Sequence, residues 1–523
     1  MPVFQQGSLN TTGLVVPDLY VQIVPPQNLV LNGVPTNLIG IVGSATWGPV
    51  NQPVVVGTMA DYATAFGPVI IRKYDMGTNV ATAVQQGAAG FRCVRVTDGT
   101  DAAARLMLGV AESVFAAQLT ARYTGSLGNS VAASLMMGSL ASTWRLTLTT
   151  PGSLTEVYDN IPAPAPAQFW QNLVAAVNTG TGPLRGPSQL AVAALGSGTG
   201  IAPAAFTGQA LQGGTDGASG INAATLVGQD VLPRTGMYAL RGQGCSLGML
   251  ADADDPTQWV TQSAFGLSEG VYMILVGPAG DTITDAVTTI QEAGLNAYSA
   301  KLMFGDWIYW SDQTNNVIRL VSPQGFVAGR LGNLSPEQSS LNKPLYSVVG
   351  SQKTGIPGSG QAATYSESEL QALFLSGIDL ISNPQPGGAY WGVRCGHNTS
   401  SNPATYGDNY TRMTNFIAAT LAAGMGLFVG KVINSQLFQQ IRSTQLSFLQ
   451  ALLSQGILGS SNGQLPFSVI CDTSNNPISR TSLGYVQSDA QVQFQGINEK
   501  FIVNVEGGQT VIVQSQILPG SAP

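Results

Sequence analysis

The chain has 523 residues, enough for about three domains by the usual length prior and ample for a large core. Only 9% of its residues are charged, far below the roughly 25% of soluble domains, and the net charge is −7. With Ser, Thr, Asn, Gln and Gly filling the surface role and no Lys/Arg cluster present, the composition points to a subunit buried among neighbours. It points away from one that wraps nucleic acid phosphates.

The longest apolar stretch, 416–429, is shorter than a bilayer span and is broken by Thr420, Gly424 and Gly426, so no membrane insertion is expected. No basic-then-apolar signal segment opens the chain. Cys93, Cys245, Cys395 and Cys471 have neither metal-ligand nor redox spacing and read as reduced thiols of a protein made in a cytoplasm.

In chain order, residues 1–36 read as an irregular, Pro- and Asn-rich arm carrying one strand. Leu19, Tyr20, Val21, Gln22, Ile23 and Val24 form that strand, with Leu19, Val21 and Ile23 on one face at period two. Pro17 before it and Pro25 and Pro26 after it deny it a nearby hairpin partner, because proline supplies no ladder donor and pushes its predecessor to extended geometry. A lone strand must pair with a sheet elsewhere, and at a chain end that edge can belong to a neighbouring molecule.

Residues 37–97 read as the first part of a core, with strands over 37–43, 52–56 and 91–96 and helices over 59–66 and 80–87. Residues 98–230 shift to Ala, Gly, Thr and Ser, with a proline loop over 161–166 and a low-complexity run over 196–200. A hairpin-like pair, 131–137 and 144–149, and a helix near 169–177 suggest a self-contained peripheral insertion.

A βαβ rhythm marks 231–340, with a strand over 245–250, a helix over 256–265 and a strand over 271–276. That last strand is apolar on both faces, as a parallel strand covered by helices should be. A helix over 284–293 follows, with Thr282 as N-cap and Gly294 as stop.

Within 341–500, Ser366 and Glu369 form a capping box opening a helix with Leu370, Phe374 and Ile378 on one face. Leu437, Ile441, Phe448 and Leu452 mark an amphipathic helix ending near Gly456. The last segment, 501–523, reads as a strand of Phe501, Ile502, Val503, Asn504 and Val505, a turn over 506–509 and a strand over 510–513. The expected fold class is therefore mixed α/β and multidomain: a core of mixed sheet and helices, a self-contained insertion, and terminal arms whose strands can be donated to neighbours.

Several short patterns imitate chemistry without its context. Gly266, Ser268 and Gly270 match a nucleophile elbow, but that elbow needs a strand before the serine and a helix after it, and the order here is reversed. The sole histidine, His397, reads as a hydrogen-bonded loop residue. Gly358, Gly360 and Ala363, with Asp379 downstream, fit a dinucleotide fingerprint, yet no strand runs directly into those glycines. Asp252, Asp254 and Asp255 resemble paired carboxylates for Mg²⁺, but Pro256 and the helix behind it make Asp254 or Asp255 an N-cap. Gly213 to Gly217 is a turn without the lysine of a phosphate loop. No catalytic, cofactor-binding or metal-binding residue is expected.

Taken in order, these segments resemble contractile phage tail sheath proteins. The family's arm commonly reads P-G-V-Y-V-x-E, against Pro17-Asp18-Leu19-Tyr20-Val21-Gln22-Ile23 here. Residues 41–53 resemble its strand–Gly–Pro segment, residues 86–96 are similar to its N-G-G…C-x-V-R-V stretch, residues 125–129 resemble its G-x-x-G-N and residues 213–217 its G-G-x-D-G. Further on, residues 321–329 resemble P-P-S-G-x-V-A-G, residues 390–394 V-W-G-A-R, residues 410–417 Y-x-x-x-R-x-x-x-Y-I and residues 471–477 C-D-x-x-x-N-P. Asp18 replaces the usual Gly, Gln22 stands where an acid is common, and 98–230 matches only at its two short motifs.

The resemblance implies a subunit stacked in hexameric rings around a tail tube, its arms adding strands to neighbouring subunits. Contraction would then drive the tube through a bacterial envelope to deliver a genome. It further implies the tube, baseplate and tail terminator proteins as partners, no enzymatic activity and no cofactor. It implies a place in the virion tail after assembly in the host cytoplasm. In the family the C-terminal part faces inward, which makes Gln439, Arg442 and Gln450 possible tube-facing residues. An α/β enzyme using one of the loops above, and a static shell protein, stay open as alternatives.

Overall fold

The computed structural model describes residues 3–6, 20–23, 31–151, 155–361 and 363–505. Its centre is a seven-stranded sheet in the order Ile378–Asp379, Ala300–Met303, Tyr272–Val276, Leu247–Leu250, Ile39–Gly43, Phe91–Arg95, Pro53–Val56. All neighbours are parallel except the last pair, in which Pro53–Val56 runs antiparallel to Phe91–Arg95. Pro53 is tolerated because its strand lies at the edge, where one face of the ladder needs no donor.

The central strands are buried on both faces. Ile39, Ile41, Leu247, Met249 and Ile274 pack on one side with the helices Met59–Phe66, Met76–Gln85 and Gln324–Gly332. Val42, Leu250, Met273 and Leu275 pack on the other with Trp259–Glu269, Ile283–Ala293 and Glu367–Leu375. This two-faced covering explains the continuous apolar run in Tyr272–Val276. Helix Gln324–Gly332 approaches helix Met76–Gln85 so closely that a Cβ on Gly329 would lie 2.5 Å from the Ala83 backbone.

The insertion has its own core. Thr155–Pro162, Thr143–Thr149, Ala132–Met137 and Phe206–Ala210 form one antiparallel sheet, and Ala191–Leu195, Val114–Ala121 and Arg105–Ala111 another. Helix Pro166–Thr179 adds Phe169, Trp170 and Leu173 to that core. Its buried residues run from Ala104 to Leu211, joined by Trp47, whereas Ile221, Leu226 and Met237 pack on the central sheet. Self-contained packing thus ends short of residue 230.

At the C-terminal end, helices Asp408–Met425 and Ser435–Ser454 pack with the hairpin Phe467–Ile470 and Asp489–Val492 around Phe416, Phe448, Leu449 and Phe467. Among the described residues no helix is long and apolar enough to cross a membrane.

Local signals read from the sequence set several boundaries. Ser366 and Glu369 form the capping box reciprocally, Thr282 caps Ile283–Ala293, and Gly294 ends it in the left-handed region. Four expectations need correction. The second helix begins at Met76 rather than 80, because Asp75 accepts from the Thr78 N–H and caps it. Ile378 is not on the capping-box helix, which ends at Leu375; Gly377, at φ +76°, turns the chain and Ile378 enters the sheet. The helix expected to stop at 265 runs on to Glu269. Val3–Gln6, read as irregular, is a strand.

Candidate functional site

The expected arm strand exists as Tyr20–Ile23, which contains Tyr20, Val21, Gln22 and Ile23; Leu19 and Val24 lie outside the described residues. It is not alone, as the flanking prolines suggested. It pairs in parallel with Val3–Gln6, in register Val3 to Tyr20 through Gln6 to Ile23. Proline blocks only a short antiparallel hairpin; a parallel partner reached by a longer connection is unaffected.

At the other end, Phe501, Ile502, Val503, Asn504 and Val505 are fully described yet form no strand. Phe501 and Ile502 are each 81% exposed, and Val505 is 87% exposed. Among the described residues this apolar run pairs with no strand and lies exposed to solvent. The expected turn at 506–509 and strand at 510–513 lie outside the described residues.

Gln439, Arg442 and Gln450 all lie exposed on helix Ser435–Ser454, whose first turn Asn434 caps by accepting from the Leu437 N–H at 2.8 Å. Leu437, Ile441, Phe448 and Leu452 face inward as their spacing indicated. Arg442 is partly tethered, its Nε donating to the Val469 carbonyl at 3.2 Å.

The patterns that imitated chemistry fall into structural roles. Ser268 sits inside helix Trp259–Glu269, its hydroxyl donating to the Phe265 carbonyl at 3.0 Å. Asp255 caps the turn at Pro256–Gln258, Asp254 pairs with Lys73 at 2.9 Å, and Asp252 accepts from the Tyr74 N–H at 3.1 Å. Gly358 and Gly360 take positive φ in a loop well before the next helix. His397 contacts Glu499, Nε2 to Oε1, at 2.9 Å and lies against the Tyr406 ring.

A cluster that the sequence reading missed lies where the sheet meets the C-terminal helices. Lys301, on the strand Ala300–Met303, is 0% exposed and bridges Asp379 at 2.6 Å and Asp408 at 3.1 Å. Its third donor reaches the His397 carbonyl at 3.0 Å. Asp379 also accepts from the backbone N–H groups of Leu380, Cys395 and Gly396, and Asp408 from the Tyr272 hydroxyl and from Ser340.

Burial alone would push Asp408 up, but the Lys301 ammonium with the Ser340 and Tyr272 hydrogen bonds outweighs it and holds the carboxyl at about 2. Burial would likewise lower Lys301, but the two carboxylates lift it above its ordinary value. With all three Lys301 donors engaged, the cluster fixes the geometry between the elements it joins. The available signal was a charged residue inside an apolar strand, at Lys301 and again at Asp379 between Ile378 and Leu380.

No family model and no curated protein matches the chain. Solved structures do. The sheath tail protein of Desulfitobacterium hafniense aligns over 87% of this chain and 93% of its own, at TM-score 0.58 and 13% identity. The sheath tail protein of Listeria innocua aligns over 85% and 90%, at TM-score 0.58 and 12% identity. The sheath of an extracellular contractile injection system, in its contracted state, aligns over 95% and 99%, at TM-score 0.54 and 11% identity. The chain therefore has the fold of contractile-tail sheath proteins.

Proposed function

We propose that the chain is the structural subunit of a contractile sheath, polymerising in stacked hexameric rings around a tail tube and shortening to drive that tube through a bacterial envelope. The observation that carries this reading is the correspondence in fold with sheath proteins over 85–95% of the chain. Low charge and the exposed apolar run Phe501, Ile502, Val503 and Val505 support it, because a solitary globule rarely leaves such a run in water.

The arms around Tyr20–Ile23 and 501–505 are then the inter-subunit strands. Each strand hydrogen bond adds about 1 kcal/mol net, so a few per arm keep subunits joined while they rotate past one another. The free energy of contraction comes from contacts that are better in the short lattice than in the long one, with no nucleotide consumed. Gln439, Arg442 and Gln450 supply a polar, weakly charged contact to the tube. A baseplate and a tail terminator are the expected end partners, and the virion tail, assembled in the host cytoplasm, is the expected place.

Electron microscopy of the purified chain tests the reading. Striated hollow cylinders of two lengths and two subunit spacings are expected, and removal of residues 1–25 or 501–523 should leave a folded subunit that forms none. A single fixed spacing would indicate a static shell, and normal cylinders from both truncations would overturn the role of the arms.

A further inference from the structure

Helix Asp408–Met425 holds the described roots of both chain ends. On the N-terminal side, Leu31 is buried against it, and the Val34 N–H donates to Thr420 Oγ1 at 3.1 Å. The fit is close: a Cβ on Gly424 would lie 2.0 Å from Leu31 Cδ2, and one on Gly33 would lie 2.7 Å from the Phe416 ring. Arg412, buried on the same helix, donates to the Leu334 and Ser335 carbonyls and, at 3.4 Å, to that of Thr36.

On the C-terminal side, Asn409 Nδ2 donates to the Gln495 carbonyl at 2.9 Å, and Tyr410 meets the Phe494 ring at 5.9 Å between centroids. Glu499 is then gripped by His397 and by the Tyr406 hydroxyl, just before the helix begins. Asn409 and Gly424 are fifteen residues apart, about 22 Å along the axis at 1.5 Å per residue. The first residue of this helix, Asp408, is locked to the central sheet through Lys301.

We propose that this one helix is the common mechanical root of both arms, and that Thr420, Gly424 and Asn409 are positioning residues for assembly. They fix where, and how far apart, the two ends leave the subunit. The inference rests on the sheath reading and adds to it that arm strands alone are not enough; their points of departure must be held by a rigid element. Pull on one arm is then transmitted to the other through a single helix already tied to the core.

The test uses the full-length chain. Thr420→Val removes the acceptor for the Val34 amide without changing volume, and Gly424→Leu fills the space occupied by Leu31. Hydrogen exchange of residues 31–36 should rise about tenfold in either variant, the loss expected from one buried hydrogen bond. Exchange at 494–499 and the body's unfolding temperature should stay as in wild type.

Both variants, with arm strands intact, should fail to form cylinders of native spacing. Leu31→Ala combined with Gly424→Leu returns a leucine-sized side chain to the seat and should restore both protection and cylinders. Unchanged exchange in both variants would overturn the anchoring, and native cylinders from subunits with released roots would overturn the positioning role. A wild-type chain that forms no cylinders would count against the sheath reading instead, and the exchange experiment would still decide the anchoring.

Discussion

The insertion and the C-terminal helices are both attached to the central sheet, but by different physics. At the insertion joint one cation, Arg95, is held by neutral carbonyl oxygens and the other, Arg72, by carboxylates. Arg95 donates to the carbonyls of Gly48, Thr124 and Asp216, while Arg72 pairs with Asp216 at 2.7 Å and lies 3.7 Å from Asp75. At the C-terminal joint, Lys301 is enclosed between the carboxylates of Asp379 and Asp408 with no access to water. The first arrangement tolerates small shifts, because several carbonyls share the load. The second demands one geometry, because each charge relies on the others. A sheath subunit as proposed would benefit from this division, with an adjustable outer part and an arm-bearing inner part set rigidly on the core.

The sharpest way to break the contrast is to remove the central charge. Lys301→Ala leaves Asp379 and Asp408 buried against each other and should lower stability by about 3–5 kcal/mol in denaturant unfolding. Adding Asp379→Asn and Asp408→Asn to Lys301→Met should recover most of that. If Lys301→Ala costs under about 1 kcal/mol, the joint is not the rigid one.

A pH titration separates the joints next. Burial pushes Asp75 up to about 7 despite Arg72, and Asp252 up to about 6 despite the hydrogen bond from Asn79. Both folded values exceed those of the unfolded chain, so the native state binds more protons between about pH 4 and 7 and stability falls as pH rises through that window. The slope is up to about 1.4 kcal/mol per pH unit for each group. Asp75→Asn, which retains a capping oxygen, should remove one group's share. Asp408 behaves in the opposite sense: its stabilisation is full above pH 4 and is lost as pH falls toward 2. Equal slopes in wild type and Asp75→Asn would contradict this.

Arg95→Met probes the insertion joint directly. It leaves three carbonyls without their donor and should cost about 1–3 kcal/mol, with faster exchange confined to the insertion's attachment around 122–126 and 212–217. The smallest effect is expected from Arg442→Glu. Its exposed site and single 3.2 Å bond should move stability by less than about 1 kcal/mol, while weakening polymerisation around tubes at low salt. Normal sheathing of tubes by that variant would place the inner face elsewhere.

What the sequence made legible follows from the range of the interaction that fixes it. The capping box at Ser366, the cap at Thr282, the stripe on Ser435–Ser454 and the doubly buried strand Tyr272–Val276 are set by neighbours within a few residues, and all were readable. The Lys301 cluster joins residues 78 and 107 positions apart, and the seat of Leu31 on Gly424 spans most of the chain. No local pattern encodes such a meeting. Ile378 was misplaced because Gly377 turns the chain only one residue before it, after a helical spacing that still held. Phe501 to Val505 carry the local marks of a strand, yet among the described residues they pair with none.

The sheet order also bears on how the protein is made. Strand Ile39–Gly43 is central and pairs on one side with Phe91–Arg95, but its other partner, Leu247–Leu250, is synthesised about two hundred residues later. At 5–20 residues per second, that open apolar edge waits on the ribosome for about 10–40 s while the whole insertion emerges between the two. An early-folding insertion would shorten the effective loop that must be closed and shield the waiting strand from other nascent chains. The insertion would then serve the subunit before any assembly, as a local chaperone for its own core.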